Sequence, residues 1–179
     1  MRYTILFAFA ASAFAQAPLK VVAVSPAGTP VSIRQQIRDV EKRLDTSISQ
    51  VGGKEPESRV YILGLTRGLY LDGYGAVFTQ ELDLIETPHP SPFQLTIPPA
   101  EVASVHQRKL ANLAALQKAL REMWGQATAS LTAMPDSEQV VLSVRLFYQP
   151  WEITAGLPSQ IILKGARKTS PGEILMEEE

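Results

Sequence analysis

Two stretches of the chain carry apolar residues at helical spacing. In the first stretch the apolar positions recur every three or four residues, at Ile33, Ile37, Val40, Leu44, Ile48 and Val51. This period is typical of an amphipathic helix, and it predicts a helix over residues 32–51 with Ser32 as N-cap and Gly52 at its end. The second stretch, residues 101–133, is rich in Ala, Leu, Gln, Lys and Arg, and it predicts a longer helix that begins after Pro99.

The residues between these helices alternate in the manner of a β-hairpin. Asp72-Gly73 is a strong signal for a two-residue type I′ turn, which places Leu71 opposite Tyr74. In this register one face of the hairpin is nearly all apolar and the other face carries the glycines. Arg67 and Gln80 are the polar members of the first face, and its other residues are Tyr61, Leu63, Leu65, Leu69, Leu71, Tyr74, Ala76, Phe78, Leu82 and Leu84. We therefore predict that the helices cover the leucine-rich face and that the glycine-bearing face is open.

Three further strand patterns complete the predicted fold. Residues 139–148 and 160–167 are rich in β-formers, and the short apolar run Leu19–Val24 indicates a strand before the first helix. The predicted order is β-α-β-β-α-β-β, whose first six elements match the ferredoxin-like order β-α-β-β-α-β, with an extra C-terminal strand. The sequence therefore predicts an α+β domain in which an antiparallel or mixed sheet carries both helices on one face.

The N-terminal residues have the features of a secretory signal peptide. Arg2 is followed by an apolar run and by the small-residue pattern Ala13-Phe14-Ala15, which predicts cleavage before Gln16. The chain is thus divided into a signal peptide at 1–15, a single α+β domain at 16–169 and an acidic flexible tail at 170–179. We expect an exported protein, periplasmic or extracellular, without stable membrane insertion, because no later apolar stretch approaches the roughly twenty residues that span a bilayer.

Composition limits the chemistry that the chain can perform. The sequence contains no cysteine, which excludes disulfides, thiolate metal sites and a thiol nucleophile. Cleavage of the signal peptide leaves 16 basic and 18 acidic residues without a basic cluster, and this disfavours a nucleic-acid partner. The motifs G-x-S-x-G, S-x-x-K and H-E-x-x-H and the EF-hand loop are absent. No metal and no cofactor is predicted.

A small set of ionisable residues permits a catalytic interpretation. Glu81 and Asp83 lie two positions apart on one predicted strand face, and paired carboxylates can act as acid and base in glycoside cleavage or hold a divalent ion. His106 on the long helix is a candidate for proton transfer. These residues would serve an envelope hydrolase. In the alternative interpretation the two carboxylates are solvated and pair with basic residues of the other hairpin. His106 and Lys109 then lie in water, where the long helix overhangs the sheet.

Other residues indicate a binding surface. Gly64, Gly68 and Gly75 clear side chains from a strip beside Tyr70, where another backbone or a ligand can approach closely, unless they relieve twist in a long hairpin. Trp151, on a ten-residue loop, either anchors an interface or folds back over the protein's own core. The favoured interpretation is a non-catalytic protein that binds a partner protein or itself. A third possibility is a binder of small apolar molecules between the long helix and the sheet.

Overall fold

The structure, a computed structural model, describes residues 31–54, 58–88, 96–169 and 173–179. These residues form two helices and five strands, α1 (Val31–Ile48), β1 (Tyr61–Leu71), β2 (Gly75–Asp83), α2 (Pro99–Ser130), β3 (Gln139–Leu146), β4 (Gln160–Ala166) and β5 (Leu175–Glu178). The strands make one mixed sheet in the order β1-β2-β3-β4-β5, in which β2 and β3 are parallel and the other neighbours are antiparallel. The predicted α+β class is confirmed.

The exact ferredoxin-like element order is not confirmed. The described elements run helix, two strands, helix and then three strands. The predicted signal peptide and the predicted strand at Leu19–Val24 lie outside the described residues. At the other end of the chain, the sequence predicts a flexible tail over residues 170–179, whereas Leu175–Glu178 pair with β4 as a fifth strand.

Both helices pack on the same face of the sheet. Every predicted apolar position of α1, from Ile33 to Ile48, is buried. The apolar stripe of α2 is buried as well, at Val105, Leu113, Leu116, Leu120, Met123, Trp124 and Ala127. Pro99 occupies the first turn of α2, where a missing N–H removes no helical hydrogen bond. The Trp124 indole N–H donates to the Val140 carbonyl oxygen at 3.1 Å, which ties α2 to β3. The sheet contributes to this core Phe78, Leu82, Val140, Leu142, Val144, Leu146, Ile161 and Leu163.

From Arg67 to the turn, the β1–β2 hairpin is displaced by one residue from the predicted register; the pair Gly64–Glu81 is as predicted, and register shifts flank it on both sides. Leu71 pairs with Gly75 and not with Tyr74, although the Tyr74 N–H does donate to the Leu71 carbonyl oxygen across the turn at 3.0 Å. Gly73 has a φ of 76°, whereas Asp72 has no positive φ. These are the φ signs of a type II turn, so the predicted type I′ turn is wrong.

Because of this displacement, the face of β1 on the helix-covered side of the sheet is the opposite of the predicted one. The face of β1 that carries Thr66 and Gly68 lies beneath α1, and the leucine-rich face is the uncovered one. The prediction that the helices cover the leucines and leave the glycines open is therefore wrong. The physical reason is the space available under α1, because a Cβ atom on Gly68 would lie only 2.6 Å from Cγ2 of Ile37. The helix can approach β1 this closely only over a residue without a side chain.

Candidate functional site

Five apolar side chains of β1 project from the uncovered face of the sheet. Each side chain is between 46% and 67% exposed, and the set consists of Tyr61, Leu63, Leu65, Leu69 and Leu71. We refer to these five residues as the β1 apolar band. Alternate residues of a strand are about 6.7 Å apart, so the band is continuous except where Arg67 interrupts it. Contiguous exposed apolar surface of this kind marks interaction sites in folded proteins.

A groove with a volume of about 690 Å³ lies beside the band on the uncovered face. The residues that line it include Gly64, Leu65, Arg67, Thr79, Glu81 and Arg145. Glu81 Oε1 lies 4.0 Å from Arg145 Nη1, and both side chains are mostly exposed. This contact agrees with the prediction of a solvated carboxylate paired with the other hairpin. The Arg67 guanidinium makes no hydrogen bond or ion pair with any of the described residues.

The free edge of β1 is occupied by carboxylates of α1. β1 lies at the end of the sheet, where N–H groups that do not face β2 need other partners. The Thr66 N–H donates to Asp45 Oδ1 at 2.8 Å, and the Gly68 N–H donates to Glu41 Oε1 at 2.6 Å. The centre of this edge is therefore closed to an added strand, and the accessible part of β1 is its apolar face.

The three residues of the hydrolase interpretation do not converge. Glu81 lies on the uncovered face, whereas Asp83 is buried, which corrects the prediction that Asp83 is a solvated strand charge. His106 Nδ1 is 2.9 Å from the carbonyl oxygen of Ile153. No hydrogen bond or ion pair joins any two of these three side chains in the part of the chain that the structure describes. That part also contains no group of three or more His, Asp or Glu side chains suited to a metal ion.

Lys109 lies at the centre of a buried ion-pair cluster. Its Nζ is 2.6 Å from Asp83 Oδ1 and also contacts Glu152 Oε2. The side chain is 0% exposed, so the prediction that it lies in water is wrong. Nζ also lies 5.0 Å from the centre of the Tyr148 ring, a cation–π contact. The sequence indicates this cluster only by placing a lysine within the apolar stripe of α2. A lysine that is buried there needs a partner of opposite charge.

The position of Tyr148 in this cluster raises the pKa of its phenol. Burial raises the pKa of the phenol above its usual value, and the negative charges of Asp83 and Glu152 raise it further. The Tyr148 hydroxyl donates to the Pro158 carbonyl oxygen at 2.6 Å. The neutral phenol is therefore both the hydrogen-bonded and the electrostatically favoured form.

The loop that carries Trp151 packs back on α2. Glu152 reaches Lys109, and the Ile153 carbonyl oxygen faces His106. Trp151 itself is partly exposed. These contacts agree with the alternative in which the loop covers the protein's own core, and a role for Trp151 in anchoring a partner stays a prediction.

The predicted binding glycines have three different environments. Gly68 lies beneath α1, as described above. Gly75 lies against β3, where an added Cβ atom would collide with the Gln139 carbonyl oxygen, and its φ of 133° also favours glycine. The close backbone approach expected at these glycines is thus made by the protein's own strand. Gly64 alone of the three borders the groove on the uncovered face, with no atom within 4 Å of an added Cβ.

Tyr70, the fourth residue of the predicted glycine strip, is engaged on the covered side of the sheet. Its hydroxyl donates to Glu138 Oε1 at 3.1 Å. Desolvation raises the pKa of Tyr70 to about 12, and the hydrogen bond to Glu138 contributes to the same shift. Tyr70 is therefore committed to a contact within the chain.

Comparison with known proteins shows no match to a family model, to a curated protein or to a solved structure. Among the described residues, neither helix combines the length and the apolar character needed to cross a membrane. The geometry of the uncovered face is thus the main guide to function.

Proposed function

We propose that the protein is an exported, non-catalytic module that binds a partner protein through the uncovered face of its sheet. The observation that supports the proposal is the β1 apolar band, whose five side chains remain about half exposed although both helices have packed on the sheet. Full burial of one large apolar side chain is favourable by about 1.5–3 kcal/mol, so burying the exposed halves of five is favourable by roughly 4–8 kcal/mol before the cost of association.

The distribution of charges favours binding over catalysis. Of the ionisable residues considered for a hydrolase, Asp83 forms an ion pair with Lys109 in the interior, and Glu81 lies on an open surface beside Arg145. An open sheet surface does not exclude water, and a catalytic pKa shift generally needs such exclusion. The apolar band needs only a complementary apolar surface on the partner.

Site-specific photo-crosslinking tests this proposal. A photoreactive amino acid replaces Leu65, the most exposed member of the band, in the full chain expressed in a host that exports it. A matched variant carries the same residue at Lys118, which is exposed on α2 away from the uncovered face. We expect a protein adduct at position 65 and none at position 118. Absence of an adduct at 65, or equal adducts at both positions, would contradict the proposal.

The proposed export of the protein is tested by a separate measurement. The signal peptide predicts that the purified protein begins at Gln16. Intact-mass spectrometry of the secreted or periplasmic fraction reads the N-terminus directly. A chain that keeps Met1 and remains in the cytoplasm would contradict the proposed export, whatever the outcome of the crosslinking.

A further inference from the structure

We infer that the partner of the uncovered face is a second copy of this chain, packed face to face about a two-fold axis. The inference rests on the proposed function, because it names the occupant of the same surface. Its support comes from the charges on the face, the arrangement of the apolar band and the protection of the β1 edge.

The charges on the face are complementary to themselves. Arg67 on β1 has no partner among the described residues, and Glu81 on β2 has only a 4.0 Å contact with Arg145. In the observed register Arg67 lies opposite Thr79 and Glu81 lies opposite Gly64, with a register shift between these two pairs, and both charged residues line the same groove on the uncovered face. A two-fold axis between Arg67 and Glu81 would set each arginine against the glutamate of the other copy. A two-fold interface makes every such contact twice.

The same axis brings the two apolar bands together. Leu65 and Leu69 lie on either side of Arg67 along β1 and share its face. Because β1 and β2 are only about 4.8 Å apart, an axis between them brings the two β1 strands close to each other across the interface, where their leucines can pack together. Five strands of about eight residues present a face on the order of 650 Å² in projection, comparable to the roughly 800 Å² of accessible surface that each partner buries in a specific complex.

The protected edge of β1 favours a face-to-face arrangement over strand addition. Antiparallel pairing of two β1 edges would need the outward N–H groups of Thr66 and Gly68. Both groups already donate to carboxylates, at 2.8 Å to Asp45 and 2.6 Å to Glu41. A second copy that approaches the apolar face leaves these hydrogen bonds intact.

A charge-reversal cycle on the purified mature chain tests the inference. The variants are Arg67→Glu, Glu81→Arg and the double variant, and sedimentation velocity over a concentration series measures the dimer dissociation constant. We expect the wild type to be a dimer. Each single reversal places like charges against each other twice and should raise the dissociation constant by about tenfold or more, whereas the double variant restores the opposite charges and should return it to within about threefold of wild type. Lys118→Glu, on the exposed side of α2, is the control expected to leave the dimer unchanged.

Three results of these measurements would overturn the inference. A wild type that stays monomeric at the highest attainable concentration overturns it, and so does a double variant that dimerises no better than the single variants. A dimer that both single reversals leave intact uses another surface and also overturns it. Urea unfolding of each variant shows whether the fold is retained. A monomeric chain that crosslinks at position 65 to a different protein would sustain the proposed function alone, whereas no crosslink at all would remove both.

Discussion

Lys109 and Asp83 meet in the interior of the protein, with Nζ 2.6 Å from Oδ1 and neither side chain more than 6% exposed. Glu152, on the loop after β3, contacts the same Nζ. The contact therefore joins three segments that are distant in sequence. Removal of one partner of a buried ion pair is costly because the remaining charge is left uncompensated.

We predict that Lys109→Met lowers the free energy of unfolding by about 3–5 kcal/mol, because Asp83 and Glu152 would remain buried near each other without a cation. Urea unfolding followed by circular dichroism measures the change. Lys118→Met on the exposed side of the same helix is the matched control, with an expected effect within about 0.5 kcal/mol. If the two variants lose the same stability, the cluster does not stabilise the fold.

The stability of the protein should fall in alkaline solution. The pKa of Tyr148 is raised by burial and by Asp83 and Glu152, and the pKa of Tyr70 is raised to about 12 by desolvation and Glu138. An unfolded tyrosine has a pKa of about 10, so the fold stabilises the neutral phenols. This contribution is complete below about pH 10 and is lost as the pH rises through the folded-state pKa values.

The measurement combines urea unfolding at several pH values with ultraviolet titration of tyrosinate in the folded protein. Tyr148→Phe should flatten the decline in unfolding free energy above pH 10 and remove a late-ionising tyrosine from the titration. Tyr70→Phe should remove another late step. A Tyr148→Phe protein with the same late ionisation and the same alkaline decline as wild type would show that this phenol is not responsible.

The same substitution should have different effects on stability at two glycines of β1. A Cβ on Gly68 would lie 2.6 Å from Ile37 Cγ2 and 2.7 Å from Phe78 Cε1, whereas a Cβ on Gly64 meets nothing within 4 Å. We predict that Gly68→Ala costs about 1–3 kcal/mol, as overpacking does. Gly64→Ala should be neutral or slightly stabilising, because it restricts the unfolded chain. Thermal unfolding compares the two variants, and equal losses would mean that contact with α1 does not limit the size of residue 68.

The helices could be predicted from the sequence because their evidence is local. The spacing of Ile33 to Ile48 on α1 and the position of Pro99 before α2 locate both elements within a few residues of their observed bounds. The hairpin was also predicted, but its register was not. The sequence Asp72-Gly73-Tyr74-Gly75 allows Leu71 to form the first cross-strand pair of the hairpin with either Tyr74 or Gly75. The need for glycine at 75 arises from Gln139 of β3, which is distant in sequence.

The uncovered face could be predicted only in part, for a related reason. Alternation along β1 separates the leucines from the glycines, but it does not show which set is covered. Leucines resemble core residues, and the deciding contact, Ile37 of α1 against Gly68, depends on tertiary packing. Likewise, Lys109 was visible within the apolar stripe of α2, whereas its partner Glu152 lies on a loop whose path the sequence pattern does not specify.

Asp45 protects the edge of the sheet, and its removal should expose that edge. One carboxylate oxygen, Oδ1, lies 2.8 Å from the Thr66 backbone nitrogen and 2.6 Å from the Thr66 hydroxyl. We predict that Asp45→Ala lowers the free energy of unfolding by about 1–3 kcal/mol, because a buried donor loses its acceptor. Asp45→Asn keeps a carbonyl oxygen that can accept the same N–H, so its loss should be smaller.

The Thr66 amide reports directly on this protection through hydrogen exchange. Exchange at Thr66 should be faster in Asp45→Ala than in wild type, with Asp45→Asn between them, and concentration-dependent association through the freed β1 edge should increase on warming. Asp39→Ala on the same helix is the control, because the Asp39 carboxylate contacts the Gln35 side chain and not β1. If the Thr66 amide exchanges as slowly in Asp45→Ala as in wild type, the carboxylate is not what closes this edge, and β1 must be shielded by the packing of α1 alone.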